Sequence, residues 1–144
     1  MRVLAGGTFN ILHPGHIFFL TEAKQLGDEL IVVVASDNTV LKRKGFLLAS
    51  ADDRRLMVGS LKLVDKAVVG SDLDFFKIVE IEEPDIIALG SDQAHSEEEL
   101  RRELKARKLN ARVVRIKKRL DPYSTGSIME KIKKTAVKGS TTIS

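Results

Sequence analysis

The chain has no cysteine and no tryptophan among its 144 residues, and aromatic residues make up only 5% of it. The lack of cysteine excludes disulfide bonds and thiolate metal sites, and it is typical of a cytoplasmic protein. So few aromatic rings leave little on which single-stranded nucleic acid can stack. No apolar run approaches the roughly 20 residues of a membrane helix. We therefore expect a soluble, cytoplasmic protein without a membrane or nucleic-acid partner.

Basic residues outnumber acidic ones, with 24 Lys and Arg against 20 Asp and Glu. They gather at residues 42–44, at 54–55 and between 101 and 134. A basic surface of this kind suits a nucleic acid, a small polyanion such as a nucleoside triphosphate, or plain solvation. Charge alone leaves these three alternatives open.

Short apolar runs alternate with helix-period segments along the chain, and Val, Ile and Leu fill them without polar alternation, as in buried parallel strands. Strands are predicted at 2–5, 30–35, 67–69, 85–89 and 111–116, and helices at 16–26, 52–61, 73–80, 97–108 and 124–134. Residues 40–51 are predicted to form a mobile loop. The alternation favours an α/β fold, a Rossmann-like doubly wound sheet of about five parallel strands. One domain is expected over residues 1–135, with a tail at 136–144.

The most informative segment lies between the first strand and the first helix. It reads Gly6-Gly7-Thr8-Phe9-Asn10, followed after two residues by His13-Pro14-Gly15-His16. A glycine-rich turn that leads into a helix favours an anion, because free backbone N–H groups and the helix dipole both attract negative charge. Side chains three residues apart at a helix start share one face, so both imidazoles can meet one ligand. The simpler alternative is that one histidine caps the helix.

Imidazoles, lysines and backbone amides around a polyphosphate indicate phosphoryl or nucleotidyl transfer, which needs positioning and charge stabilisation. Neither a Walker-type Gly-x-x-x-x-Gly-Lys-Ser/Thr motif nor a Gly-x-Gly-x-x-Gly motif is present. Their absence counts against a P-loop kinase and against a nicotinamide dehydrogenase. A nucleophilic serine elbow and a pair of catalytic carboxylates are also missing, so hydrolysis is not indicated.

The segment resembles the signature of the cytidylyltransferase-like nucleotidyltransferases, and the resemblance extends over nearly the whole chain, through residues 23–28, 54–56, 64–65, 89–92 and 124–128. It implies that His13 and His16 stabilise the α-phosphate during transfer and that Lys44, together with Lys42, holds phosphates. The resemblance implies a nucleotide site made of Gly7, Thr8, Phe9, Asn10, Gly15, Gly90, Ser91, Asp92, Arg119, Ser124 and Thr125. It also implies Mg²⁺ bound with the nucleoside triphosphate, no metal held by the protein itself, and a homodimer.

Within that superfamily, residues 85–93 and the His-Pro-Gly-His most resemble the archaeal FAD synthases. Those enzymes transfer AMP from ATP to FMN and release pyrophosphate. Two other members of the superfamily remain open, a glycerol-3-phosphate cytidylyltransferase that uses CTP and a heptose-type sugar-phosphate adenylyltransferase. A further alternative is a catalytically silent nucleotide- or RNA-binding protein, which the basic C-terminal third would suit.

Two places depart from the family pattern. The family usually has aspartate where this chain has Asn10. Asparagine keeps an acceptor oxygen but loses the charge, so a contact with a metal or an ammonium group would be weaker there. The segment 119–127 also differs from the closing segment of the glycerol-phosphate cytidylyltransferases, which weakens a cytidine assignment.

Overall fold

The computed structural model describes residues 1–72, 74–91, 93, 96–118 and 125–138. Within these residues the strands are β1 (Arg2–Gly7), β2 (Glu29–Val34), β3 (Lys66–Val69), β4 (Ile86–Leu89) and β5 (Arg112–Arg115). The helices are α1 (Pro14–Lys24), α2 (Asp37–Lys44), α3 (Ala51–Gly59), α4 (Phe75–Glu82), α5 (Glu97–Ala106) and α6 (Thr125–Lys138). None of the described helices is long and apolar enough to cross a membrane.

All neighbouring strands are parallel, and the sheet has the order β3-β2-β1-β4-β5. Strand β1 lies at the centre, where Ala5 is paired with Val32 of β2 and with Ala88 of β4. The strand order reverses direction at β1 and β4, and ligands of such sheets bind beyond the carboxyl ends of the strands at that point. The α/β fold with about five parallel strands that the sequence predicts is confirmed.

Helices cover both faces of the sheet. On one face, Leu20 of α1 and Val58 of α3 pack against the strands, and on the other Val79 of α4 and Leu104 of α5 do so. The central strands are therefore buried on both sides, which explains their unbroken apolar sequence. This layering leaves the two ends of the strands as the open edges of the sheet. We call the side of the sheet where the strands end the carboxyl edge and the side where they begin the amino edge. These terms refer to the ends of the strands and not to the outer strands β3 and β5.

The prediction of a mobile loop at residues 40–51 is wrong in its first half, because α2 runs to Lys44. Ser36 caps this helix, with its hydroxyl accepting the N–H of Thr39, and Gly45 ends it in the left-handed conformation with φ 79°. Val40 is its buried residue, so the helix has no apolar stripe for sequence analysis to detect. The remaining predicted elements are confirmed with ends shifted by a few residues.

The last predicted helix, at 124–134, corresponds to α6. That helix continues past position 135, at which the sequence analysis ends the domain. The division into a domain and a tail stays a prediction, and residues 139–144 of the expected tail lie outside the described residues.

Candidate active site

The two imidazoles of the motif lie against each other at the start of α1. The ring centroids of His13 and His16 are 3.9 Å apart, and the ring planes are inclined by 31°. His13 caps the helix, and its Nδ1 accepts the N–H of Gly15 at 3.0 Å. In return, Nδ1 of His16 accepts the N–H of His13 at 3.3 Å. The two rings, which we name the imidazole pair, thus form a reciprocal cap on the helix.

These capping bonds determine which ring nitrogen carries the proton. An Nδ1 atom that accepts a hydrogen bond presents its lone pair, so the proton of a neutral ring lies on Nε2. Burial lowers the pKa of His13 from its usual 6.5, which keeps this ring neutral at pH 7. His13 therefore both caps the helix and carries an Nε2–H donor, and the capping alternative does not compete with a ligand-binding role.

The turn before the imidazole pair is shaped by Phe9. This residue has a φ of 53°, its side chain is buried, and its ring centroid lies 5.0 Å from that of His16. A Cβ atom on Gly7 would lie 3.0 Å from the Phe9 ring, so any larger residue there would force this buried ring to shift. Phe9 thus supports the His16 ring from the protein side. The nucleotide contacts of Gly7, Thr8 and Phe9 stay predictions.

A buried arginine that the sequence analysis missed ties this turn to its neighbours. Arg54 is 1% exposed, and its guanidinium donates to the carbonyl oxygens of Thr8 at 2.8 Å, Ala35 at 2.6 Å and Ala49 at 3.0 Å. It also forms a salt bridge of 2.9 Å with Asp37 in the first turn of α2. Arg54 therefore joins the motif turn, the end of β2 and the beginnings of α2 and α3.

Asn10 connects the turn to the segment that follows α2. Its Nδ2 donates to the carbonyl oxygen of Phe46 at 2.9 Å, and its Oδ1 accepts the N–H of Leu48 at 3.1 Å. The residue is 6% exposed. The structure thus gives the Asn10 amide two protein partners, while its predicted contact with a nucleotide stays a prediction.

The end of β4 lies across the carboxyl edge from the end of β1. Gln93 bridges the two, since its Oε1 accepts the N–H of Gly90 and its Nε2 donates to the carbonyl oxygen of Gly6, both at 2.8 Å. Arg115 donates to the carbonyl oxygens of Gly90 at 2.7 Å and Gln93 at 3.2 Å. These bonds hold Gly90 and the adjacent Ser91, two predicted nucleotide-binding residues, at the point where the strand order reverses.

A cavity of about 220 Å³ opens at the same edge, on the face of the sheet that α4 covers. Val33, Phe75 and Ile78 form an apolar part of its lining, which we name the floor, and Gly6 and Gly7 at the end of β1 also line it, whereas His13 and His16 do not. A site with an apolar floor and a few polar groups at its rim is typical of small-molecule binding.

The rim of the cavity carries charges of both signs. Asp72, on the loop after β3, accepts hydrogen bonds from the hydroxyl of Ser36 and from Nδ2 of Asn38. These two bonds hold the pKa of Asp72 below its usual value, so it is an anion at neutral pH. Arg43 supplies a cation to the same rim.

The last turn of α2 consists of Lys42, Arg43 and Lys44, which we name the basic turn. All three side chains are exposed, and none makes a salt bridge with a carboxylate in the described part of the chain. Cations at this place complement the helix dipole, which explains the cluster even without a ligand. Arg43 lines the cavity, whereas Lys44 does not, so the predicted phosphate contact of Lys44 stays a prediction.

Three of the predicted nucleotide-binding residues, Asp92, Arg119 and Ser124, lie outside the described residues. Thr125 begins α6, and Gly15 lies in the first turn of α1. Among the residues that are described, no three His, Asp or Glu side chains are grouped so that they could hold a metal ion.

Sequence and structure comparisons find relatives over nearly the whole chain. The profile of the cytidylyltransferase-like family matches residues 4–141. An FAD synthase from Aciduliprofundum boonei is 50% identical over 88% of this chain and 85% of that protein. An FAD synthase from Methanosarcina barkeri is 49% identical over 92% of this chain and 96% of that protein.

Two solved structures extend the comparison. A lipopolysaccharide core biosynthesis protein from Thermoplasma volcanium has a TM-score of 0.79 at 42% identity, covering 84% of this chain and 98% of that one. A pantoate-beta-alanine ligase from Francisella tularensis has a TM-score of 0.59 at 15% identity, covering 92% of this chain and 69% of that one. The second similarity shows a shared fold alone.

Proposed function

This chain belongs to the cytidylyltransferase-like family, and from that premise we propose that it is a nucleotidyltransferase that makes FAD, transferring AMP from ATP to FMN. The observation that carries the proposal is the identity of 49–50% with FAD synthases over 88–92% of the chain. The imidazole pair supports the proposal as well, because it lies near the point where the strand order reverses, which is where such sheets bind ligands.

The reaction is an in-line displacement at phosphorus. A phosphate oxygen of FMN attacks the α-phosphorus of ATP, and the bond from that phosphorus to the bridging oxygen of the β-phosphate breaks, so that pyrophosphate leaves. Negative charge builds up on the α-phosphate oxygens, and fixed donors directed at them lower the barrier. His13 supplies such a donor, because its ring is neutral and its proton lies on Nε2. His16 is proposed to act in the same way.

The cavity beside the motif is proposed to receive the acceptor. Its apolar floor, formed by Val33, Phe75 and Ile78, suits a flat aromatic ring system such as that of a flavin. Arg43, which lines the cavity, and the neighbouring Lys42 and Lys44 are proposed to neutralise phosphates. The helix start at Thr125, with Ser124 and Arg119 before it, is proposed to hold the leaving phosphates of ATP.

Mg²⁺ is proposed to enter with the nucleoside triphosphate. Asp72 at the carboxyl edge is held by Ser36 and Asn38, and no three His, Asp or Glu side chains among the described residues are grouped around a metal position. Mg²⁺ commonly keeps several waters and binds through substrate phosphates, so this arrangement fits a nucleotide-bound ion. When bound, the ion neutralises charge on the polyphosphate.

A sugar-phosphate adenylyltransferase is the second candidate, because the solved structure that is 42% identical is described as a lipopolysaccharide core biosynthesis protein. The cavity counts against a sugar acceptor. Hydroxyl groups of a sugar would lose their water against Val33, Phe75 and Ile78 without gaining partners there, so a sugar would have to bind to the polar lining residues, such as Ser36, Asp72 and Gln93. Glycerol 3-phosphate meets the same difficulty.

The chain is further proposed to act in the cytoplasm as a homodimer. The lack of cysteine supports the compartment. Leu56 and Met57 of α3, which are 69% and 49% exposed, provide apolar surface that a second copy could cover. Light scattering coupled to size exclusion measures the mass in solution, and a monomer at working concentrations would rule out the dimer.

A matrix of substrates tests the proposed reaction. The protein is incubated with Mg²⁺ and either ATP or CTP, together with FMN, glycerol 3-phosphate or a sugar 1-phosphate, and pyrophosphate is measured. We expect pyrophosphate only with ATP and FMN, and an equal amount of FAD by chromatography. Release with CTP and glycerol 3-phosphate alone would contradict the flavin assignment. Binding of ATP without turnover of any pair would favour the catalytically silent alternative.

A further inference from the structure

Residues 45–50 join α2 to α3 and follow directly on the basic turn, and we name them the connecting segment. The segment leaves α2 at Gly45 in the left-handed conformation. From there the Asn10 amide binds it at two backbone atoms, the carbonyl oxygen of Phe46 and the N–H of Leu48. Asn10 itself stands three positions before His13 in the motif. One buried side chain thus links the imidazole pair to the chain that follows the basic turn.

A second, independent contact ties the same two regions together. Arg54 donates at once to the carbonyl oxygen of Thr8 in the motif turn and to that of Ala49 in the connecting segment. Residues 8–10 and 46–49 are therefore joined through the side chains of Asn10 and Arg54, both of which are buried. The end of α2 that carries the basic turn is held in place relative to the motif.

The amide of Asn10 is chemically matched to its partners. A carboxamide offers a donor and an acceptor on one rigid plane, whereas a carboxylate offers acceptors only. An aspartate at this position would keep the bond from the Leu48 N–H but would turn an oxygen toward the carbonyl oxygen of Phe46. Asparagine thus supplies both the donor and the acceptor that this connecting segment uses.

We propose that Asn10 is a positioning residue for nucleotidyl transfer, which fixes the basic turn at the distance from the imidazole pair that the phosphates need. Asn10 acts through the backbone of Phe46 and Leu48 and not through contact with the nucleotide. The functional part of this inference rests on the proposed function, because the basic turn matters only where phosphates are bound. The structural part, the pinned connecting segment, is independent of the reaction.

The test compares Asn10→Asp with Asn110→Asp, which makes the same change at an exposed asparagine on the loop before β5. Hydrogen exchange of the substrate-free protein is measured over residues 46–48, and kcat and KM are measured with ATP and the acceptor that the substrate matrix identifies. We expect faster exchange there and a loss of about tenfold in kcat/KM in Asn10→Asp, because the partly buried carbonyl oxygen of Phe46 loses its donor and is repelled by the new carboxylate, which displaces the connecting segment. Asn110→Asp should leave both unchanged.

A double-mutant cycle with Lys44→Ala separates positioning from a loss of folding. If Asn10 acts by placing the basic turn, Asn10→Asp lowers kcat/KM by a clearly smaller factor in the Lys44→Ala background than in the wild type, because one of the placed cations is already absent. Effects that multiply in full would overturn the proposal, as would unchanged exchange at residues 46–48. If Asn10→Asp does not fold, Asn10→Ala serves in the same cycle, since it removes both hydrogen bonds without introducing a charge.

The exchange measurement also shows whether the positioning role of Asn10 or the proposed FAD reaction has failed. Faster exchange with no turnover of FMN by the wild type would contradict the FAD reaction and leave the pinned segment intact. Normal turnover of FMN with unchanged exchange and unchanged kcat/KM in Asn10→Asp would contradict the positioning role alone.

Discussion

The two edges of the sheet differ in the partners of several of their cations. At the amino edge, Lys24 lies 2.5 Å from Asp65, and Lys66 lies 2.8 Å from the buried Glu82. Arg2 also pairs with Glu29 there and donates to a backbone carbonyl. At the carboxyl edge, Arg54 pairs with Asp37 and Arg115 with Glu97, but the basic turn makes no salt bridge with any carboxylate that the structure describes.

This difference between paired cations and the basic turn indicates which charges stabilise the fold and which can bind a ligand. A charge that is paired inside the protein contributes to the fold but has little left for a ligand, whereas exposed unpaired cations attract an anion. Parallel strands make this division possible, because all their carboxyl ends meet at one edge. Arg54, Asn10 and Gln93 join parts of the carboxyl edge through backbone atoms, and none of these hydrogen bonds involves a side chain of the basic turn.

The largest effect is expected at the carboxyl edge, for His16→Ala. Removing a donor to the transition state lowers kcat by about 10²-fold or more. Stability should change far less, because the capping bond from the His13 N–H to His16 is long, at 3.3 Å. Steady-state kinetics and thermal melting measure the two quantities. An unchanged kcat in a folded His16→Ala variant would contradict the assignment of a binding role to the carboxyl edge.

The opposite pattern is expected at the amino edge, for Glu82→Gln. The Glu82 side chain is 6% exposed, and the substitution removes the carboxylate that pairs with Lys66. Lys66, at 55% exposed, can turn to water. The free energy of unfolding should therefore fall by about 1–2 kcal/mol, less than for a fully buried pair. Urea denaturation measures this, with Glu83→Gln at the adjacent exposed position as the control. A loss of kcat/KM at unchanged stability would contradict the division.

A smaller effect is expected for Lys44→Ala in the basic turn. The loss of one charged contact with a phosphate should raise KM by about tenfold, with the melting temperature unchanged. Added salt should reduce the difference, because the contact is exposed. Lys105→Ala is the control, since Lys105 is exposed in the last turn of another helix, α5. Equal kinetic effects of the two substitutions would show that the basic turn has no special role.

The smallest effect concerns pH and the capping nitrogen of His13. Burial lowers the pKa of His13 below 6.5, so the neutral ring persists into weakly acidic solution. Its contribution to stability is present above pH 6.5 and is lost as the pH falls through the lowered pKa. We expect kcat to fall several-fold over the same window, because protonation of Nδ1 removes the acceptor of the Gly15 N–H. A rate profile with its acid limb above pH 6.5 would contradict this assignment.

The strands and most helices were predictable because their signals are local. Unbroken runs of Val, Ile and Leu indicate buried parallel strands, and β2 and β4 follow this rule. Helix α2 was not predicted, because Val40 is the one buried residue between Asp37 and Lys44 and one residue gives no helical pattern. Ser36 before it and Gly45 after it are recognisable start and stop signals, so attention to capping would have found it.

The imidazole pair could be found from the sequence, but the side chains that support it could not. The motif identifies the imidazole pair, since the residues lie close together in sequence. Arg54 and Arg55 look alike in sequence, yet Arg54 is 1% exposed and binds three backbone carbonyls, while Arg55 pairs with Asp52 at the surface. The partners of Asn10 lie 36 and 38 residues away, a distance over which a single sequence carries no signal.

Hydrogen exchange with ligands bound tests the division between the two edges most directly. The protein is measured alone and with a nonhydrolysable ATP analogue, Mg²⁺ and FMN. We expect slower exchange at the carboxyl edge, in residues 6–16, 36–48 and 90–93, and no change at the amino edge around residues 24–29 and 82–85. Protection confined to the amino edge, or spread evenly over both edges, would contradict the account.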